Sequence, residues 1–208
     1  MGPQPHLFHY SLDWRFLIAL SDTQKIYLLF EENPNFSQAL EQVGIGASQR
    51  LPFSELGRET NRDFPSIALP FGVPNGWVTD RYEDQVGFYR SVQRLISSGG
   101  CLLVGFNNAW NLRAASQKKY YASTPRRILK LLEQAGFSSV TLFGAMPNLA
   151  IPEYIFDLDP RTIQFALRNR FRRKLQVLRA LRVLSATVGW RRLSDFLPCY
   201  FAVATTKQ

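Results

Sequence analysis

The 208-residue chain has little of what usually settles a function at first reading. It holds two cysteines, Cys101 and Cys199, each inside an apolar segment, and two histidines, His6 and His9. Neither cysteine stands at a metal-ligand spacing, and a reduced thiol in apolar surroundings behaves as a small buried hydrophobe. Beside His6 and His9 only Asp13 could donate, too few groups for a zinc site, so no metal is expected. No uninterrupted apolar stretch approaches the roughly 20 residues that span a bilayer; Phe16 to Leu20 and Cys101 to Phe106 are far shorter. Met1 to Tyr10 has neither a basic nor an apolar leader region, so the expected location is cytoplasmic, with a peripheral membrane position as its variant. Gly-x-Ser-x-Gly, Walker-type loops and Cys-x-x-Cys are missing too, and with them the sequence signals of hydrolases, nucleotide-phosphate sites and zinc sites.

Acidic residues are missing from one long segment. Between Arg161 and Arg192 there are ten Arg or Lys and no Asp or Glu, while the whole chain carries +9. The remainder is therefore close to neutral, and any attraction for an anionic partner belongs to this segment alone. Its apolar residues Ile163, Leu167, Phe171, Leu175 and Leu178 recur at helical spacing, with Arg168, Arg170, Arg172, Arg173 and Lys174 largely elsewhere on the wheel. An amphipathic basic helix is expected. It packs on its own sheet, or docks on another protein or an anionic membrane. Aromatic interleaving is confined to Phe165 and Phe171, which disfavours nucleic acid.

The rest reads by its punctuation. Lys25 to Phe30 is a short strand, followed by Asn33 and Pro34 as N-cap and first residue of a helix that stops at Gly44. Ser66 to Phe71 is a buried strand closed by a turn through Gly72, Pro74, Asn75 and Gly76. Asp80 and Glu83 form a capping box for a helix with Val86, Tyr89, Val92, Leu95 and Ile96 on one face, ended by Gly99 and Gly100. Cys101 to Phe106 is a strand covered on both faces, followed by a polar loop from Asn107 to Lys119. Thr124, Pro125 and Gly136 bracket another helix, and Val140 to Phe143 and Tyr200 to Val203 are strands. Alternation of strands with helices indicates an α/β fold with a largely parallel sheet.

Several of these strings resemble the class I S-adenosylmethionine (SAM)-dependent methyltransferase family: FPSIALPF at Phe64 to Phe71, ISSGGCLLVGF at Ile96 to Phe106, TPRRILKLLEQAGFSSV at Thr124 to Val140, and LPCYFAVATTK at Leu197 to Lys207. LPF at Leu51 to Phe53 is similar to the stretch before the family's fourth strand. The resemblance implies a Rossmann-like α/β sheet, mostly parallel with an antiparallel last strand and helices on both faces. It implies SAM as cofactor. Two departures bear on that. The turn after the first strand reads Glu31, Glu32, Asn33, Pro34, Asn35 and holds no glycine, although close approach of the backbone to a ligand needs one. The span from Val43 to Ser66 is too short for two further strand-helix units, so the family's second and third strands are expected to be mostly missing and the sheet reduced. Asp63 comes too late for the family's ribose-binding acid.

These readings combine into a single domain over 1–208 with a basic helical insertion at about 145–195. Candidate cofactor-binding residues are Glu31 and Glu32 after the first strand, and Asn107 and Asn108 at the carboxyl edge of the central strand, where open α/β sheets hold ligands. Trp110, Lys118, Lys119, Tyr120 and Tyr121 could line the same mouth. No catalytic residue stands out. The expected function is a degenerate, non-catalytic methyltransferase-like binding or regulatory subunit, partnered by a catalytic methyltransferase subunit or by its own copies. The alternatives are an active SAM-dependent methyltransferase with an atypical pocket, and a membrane-surface or scaffold protein that uses the basic helix.

Overall fold

The structure, a computed structural model, describes residues 17–18, 26–28, 64–74, 76–79, 81–110, 122–149 and 152–207. The helix expected over 33–44, the LPF string, Asp63 and Asp80 lie outside them, as do the two histidines, Glu31, Glu32 and residues 118–121.

One mixed sheet organises the described residues. Its strands are β1 (Ile26–Leu28), β2 (Phe64–Leu69), β3 (Ile96–Asn108), β4 (Ala122–Ser123), β5 (Ser139–Met146), β6 (Tyr154–Asp157) and β7 (Cys199–Thr205), in the order β1-β2-β3-β7-β5-β6, with β4 on the end of β3. β1, β2, β3 and β4 pair in parallel, and β7 inserts antiparallel between β3 and β5. The mostly parallel sheet with an antiparallel last strand is as expected. β6 is a second antiparallel strand, paired with β5 from Phe143↔Asp157 to Met146↔Tyr154, inside the stretch read as a helical insertion. Its four-residue run carried too little alternation to be recognised.

The central strands are dry on both sides because their side chains alternate between two apolar layers. Leu102, Val104 and Phe106 of β3 join Tyr200, Ala202 and Ala204 of β7 in one layer. Leu103 joins Cys199 and Phe201 in the other, which also takes in Ile18. Helices α1 (Tyr82–Leu95) and α2 (Pro125–Ala135) cover the first layer with Val86, Tyr89, Val92, Leu131 and Leu132. The ends of α2 follow the sequence closely. The Thr124 side chain accepts a bond from the Arg127 amide, Pro125 opens the helix, and Gly136 closes it at φ 104°.

The start of β3 differs from expectation. Ile96 does not belong to α1; it is already strand and pairs with Phe64. Gly99 and Gly100 therefore do not stop the helix, and sit in a bulge between the Phe64↔Ile96 and Ser66↔Cys101 pairs. A Cβ on Gly100 would lie 2.6 Å from the Pro65 carbonyl oxygen, so the bulge needs a bare backbone. The strand also runs on to include Asn107 and Asn108, the first residues of the expected loop.

Cys101 pairs with Thr205 and Cys199 with Asn107, which sets the thiols six residues apart along one ladder, roughly 20 Å at strand rise. They lie towards opposite ends of that ladder.

The tightest backbone contact is at Gly105. A Cβ there would stand 2.0 Å from the carbonyl oxygen of buried Pro70, where the chain leaves β2 and crosses β3. Gly105→Ala should therefore force β2 and β3 apart and lower stability by about 3 kcal/mol or more, read as the shift of the denaturant midpoint. An unchanged midpoint would mean that this crossing is looser than described.

Candidate functional site

The carboxyl ends of the parallel strands are where a sheet of this kind can hold a ligand, because neighbouring connections diverge there. At this edge lie Asn107 of β3, Met146 at the end of β5, and Leu197 and Pro198 leading into β7. Three helices rise above it. α3 (Pro160–Arg170) starts with Asp159 as N-cap, its carboxylate accepting from the Arg161 amide at 2.8 Å, and with Pro160 as the first helical residue. This Asp-Pro pair is a start signal that the sequence reading passed over. α4 (Leu175–Val188) and the one-turn α5 (Trp190–Leu193) follow, with a 3-10 turn at Ser194–Phe196 before β7.

The single basic amphipathic helix is thus two helices, broken at 171–174. Ile163 and Leu167 are buried against the sheet core and Phe171 is half-buried. Leu175, expected on the same buried stripe, is 68% exposed. The break redistributes the charge. Arg168 and Arg170 are on α3, whereas Arg172, Arg173 and Lys174 stand on the connecting turn, all exposed. Arg170 pairs with Glu153 at 3.0 Å, an exposed ion pair of small net energy.

Between these helices and the strand ends is a cavity of about 870 Å³, within the size range of small-molecule sites. Twelve of its sixteen lining residues are apolar. Val177, Leu181, Leu184 and Val188 supply one wall at i, i+4, i+7 and i+11, a single face of α4. The polar lining consists of Asn107, Asn148, Arg170 and Lys174. Carboxylate, histidine, hydroxyl and thiol are absent among the described lining residues, and Lys174 is the one amine there.

Asn107 and Asn108, adjacent in sequence, have different roles because a strand sends neighbours to opposite sides. Asn107 lines the cavity. Asn108 is fully buried, and its Nδ2 donates to the carbonyls of Asp195 at 2.7 Å and Leu197 at 2.8 Å. Its Oδ1 accepts from the Trp110 amide at 3.1 Å. The Tyr200 hydroxyl, beside the same carboxamide, donates to the Ser194 carbonyl. The Asn108 amide is engaged with its own chain and holds the turn before β7 against the end of β3. Trp110 and Phe196 stand edge to face outside this clamp, 69% and 62% exposed.

Burial governs the titratable groups nearby. The Cys199 thiol donates to the Ala145 carbonyl at 3.1 Å, and burial pushes it up to about 12. Burial also raises Tyr200, with the Asp195 charge adding to the effect and a backbone hydrogen bond at Leu197 opposing it.

No protein-family model matches the chain, and no curated protein matches it. Solved structures do. A SAM-dependent methyltransferase from Archaeoglobus fulgidus superposes with a TM-score of 0.50 at 9% identity, over 87% of this chain and 85% of that one. A possible exported protein from Bordetella parapertussis gives 0.48 at 10% identity, over 87% and 53%. Phosphoethanolamine N-methyltransferase 2 of Haemonchus contortus, solved with phosphomonomethylethanolamine and S-adenosylhomocysteine, gives 0.41 at 15% identity, over 82% and 40%. The chain thus spans about half or less of the last two proteins. At these identities the likeness is one of fold: a Rossmann-like, methyltransferase-type α/β sheet.

Two outcomes follow from the clamp and the buried groups. Asn108→Ala should cost roughly 3 kcal/mol by stranding the Asp195 and Leu197 carbonyls, and lower Tm by about 6–12 °C in a thermal melt; a change under 2 °C would show that water replaces the amide. Because Cys199 titrates higher in the folded than in the unfolded chain, its contribution to stability is complete below about 9 and lost as pH rises toward about 12. Denaturant titrations should therefore show stability falling from pH 9 upward, and iodoacetamide at pH 8 should label Cys199 only after unfolding.

Proposed function

We propose that this protein is a non-catalytic member of the methyltransferase-type fold, acting as a binding or regulatory subunit. The observation that carries the reading is the cavity at the carboxyl edge, whose described lining offers apolar surface and two cations with no carboxylate, imidazole, hydroxyl or thiol beside them. Support also comes from the sequence Glu31 to Asn35, which holds no glycine to open the backbone to a cofactor. Asn108, one of the four cofactor candidates, spends its amide on the turn before β7.

SAM, where such folds bind it, supplies an electrophilic methyl group. No chemical step is assigned to the residues described around this site. What they do is bind. Apolar walls exclude water, and Arg170 and Lys174 set the sign of the charge that is welcome at the edge. A partner is part of this reading, either a catalytic methyltransferase subunit or a second copy, with the protein in the cytoplasm or at the edge of a membrane.

A second reading, an active SAM-dependent methyltransferase with an atypical pocket, draws support from the cavity's place at the strand ends, which is where an α/β enzyme reacts. Titration calorimetry with SAM separates the two. The non-catalytic reading expects no heat of binding up to about millimolar SAM, and a micromolar Kd would overturn it in favour of the enzyme.

A further inference from the structure

The wall that α4 presents to the cavity is unusual for a helix of its composition. Half of its fourteen residues are Leu or Val, yet none is buried. A helix that hydrophobic is ordinarily stabilised by packing its apolar stripe, because helical propensity alone barely sustains that length. Here the stripe Val177, Leu181, Leu184, Val188 lines open volume, and of the four only Leu181 also packs against the core. Leu184 remains 46% exposed and Val188 36%, and Phe196 across the cavity is 62% exposed.

Charge is confined to one place in that lining. Arg170 and Lys174 flank Phe171 at the joint between α3 and α4, the two cations of the wall, with no carboxylate among the described lining residues to neutralise them from within. Glu153, outside the lining, bonds one guanidinium nitrogen of Arg170, which leaves the rest of its five-donor fork for a second acceptor. The segment from Arg161 to Arg192 contains no acid at all. A long apolar wall with a cationic end is complementary to a molecule built the same way with the opposite sign.

We propose that the cavity binds an anionic amphiphile, a single long alkyl or acyl chain carrying one carboxylate or phosphate head. The chain lies along the α4 stripe toward Leu193, and the head meets Arg170 and Lys174. This rests on the reading of the site as a binding rather than a reacting one. The occupant completes the fold by covering the α4 face, so binding and the order of α4 are coupled. A free fatty acid and a lysophospholipid share this chemistry.

The test is a fluorescence titration with 11-(dansylamino)undecanoate, followed by displacement with decanoate, dodecanoate, tetradecanoate, dodecanol and lauroyl lysophosphatidate, each below its critical micelle concentration. Saturable binding is expected, strengthening about fourfold per methylene as chain burial predicts. Dodecanoate should outcompete dodecanol by at least tenfold. Arg170→Gln with Lys174→Gln should bring that ratio close to one while leaving dodecanol unchanged, and Glu153→Gln should tighten dodecanoate two- to threefold by releasing Arg170. Whichever of dodecanoate and the lysophosphatidate wins identifies the head group. Leu181→Gln should weaken every chain alike; if it unfolds, the charge variants carry the test, since they alter only exposed side chains.

Absence of saturable displacement from folded protein would overturn the proposal, as would equal affinity of the wild type for dodecanoate and dodecanol. Binding to phosphatidylserine vesicles with none to monomeric dodecanoate would overturn it too, and would assign the basic residues to surface docking. Calorimetric SAM binding would overturn the non-catalytic reading without moving these titrations. Failure of dodecanoate alongside silent SAM calorimetry would overturn the amphiphile and leave that reading in place.

Discussion

The architecture at the site depends on one buried carboxamide. Asn108 is the last residue of β3, and from there its side chain gathers the Asp195 carbonyl of the 3-10 turn, the Leu197 carbonyl just after it and the amide of Trp110, while its backbone amide donates to the Pro198 carbonyl at 2.9 Å. A buried amide that lost these partners would cost its full desolvation, so all are held together or none is. The turn it holds is the point from which β7 enters the sheet between β3 and β5. The segment between β5 and β7, which carries the three helices above the strand ends, is anchored at this clamp, at the β5–β6 hairpin and through Ile163 and Leu167 of α3. The cavity exists because that segment spans the edge without filling it.

The two layers of the sheet are paid for differently. On the side of α1 and α2, the helices meet the strands with fully buried Val92 and Leu132 and continue to α3 through Ile163. From α3 to α4 the burial ends abruptly: Ile163 has no exposed surface, and α4 has no buried residue. The boundary coincides with the basic turn that holds Arg172, Arg173 and Lys174. Beyond that turn α4 carries its stripe over the strand ends, and of Val177, Leu181, Leu184 and Val188 only Leu181 also packs against the core.

Some of this was legible in the residues and some was not. Thr124, Pro125 and Gly136 define α2 because capping is a local matter, and the apolar runs at β2, β3 and β7 are recognisable because both faces of each are covered. The bulge at Gly99 and Gly100 was misread as a helix stop, since glycine serves equally where a helix ends and where a strand kinks, and only the Phe64↔Ile96 pairing separates the cases. The helix over 161–178 was read as continuous because its apolar spacing passes through 171–174 without a fault. Asn107 and Asn108 cannot be told apart in the sequence: a difference of one residue along a strand separates a cavity wall from an internal clamp.

What the sequence determined by itself was therefore whatever depends on neighbours within a few positions: the strands and helices, their caps, the alternation that predicts a dry sheet, and the confinement of the excess positive charge to one acid-free segment. Tertiary structure alone decided the insertion of β7 between β3 and β5, the second antiparallel strand β6, the meeting of Asn108 with Asp195 and Leu197 from far along the chain, and the volume left beneath α4. The physical reason is range. Capping and alternation are set by hydrogen bonds and burial that each element carries with it, whereas a cavity is the space that remains after distant elements have packed.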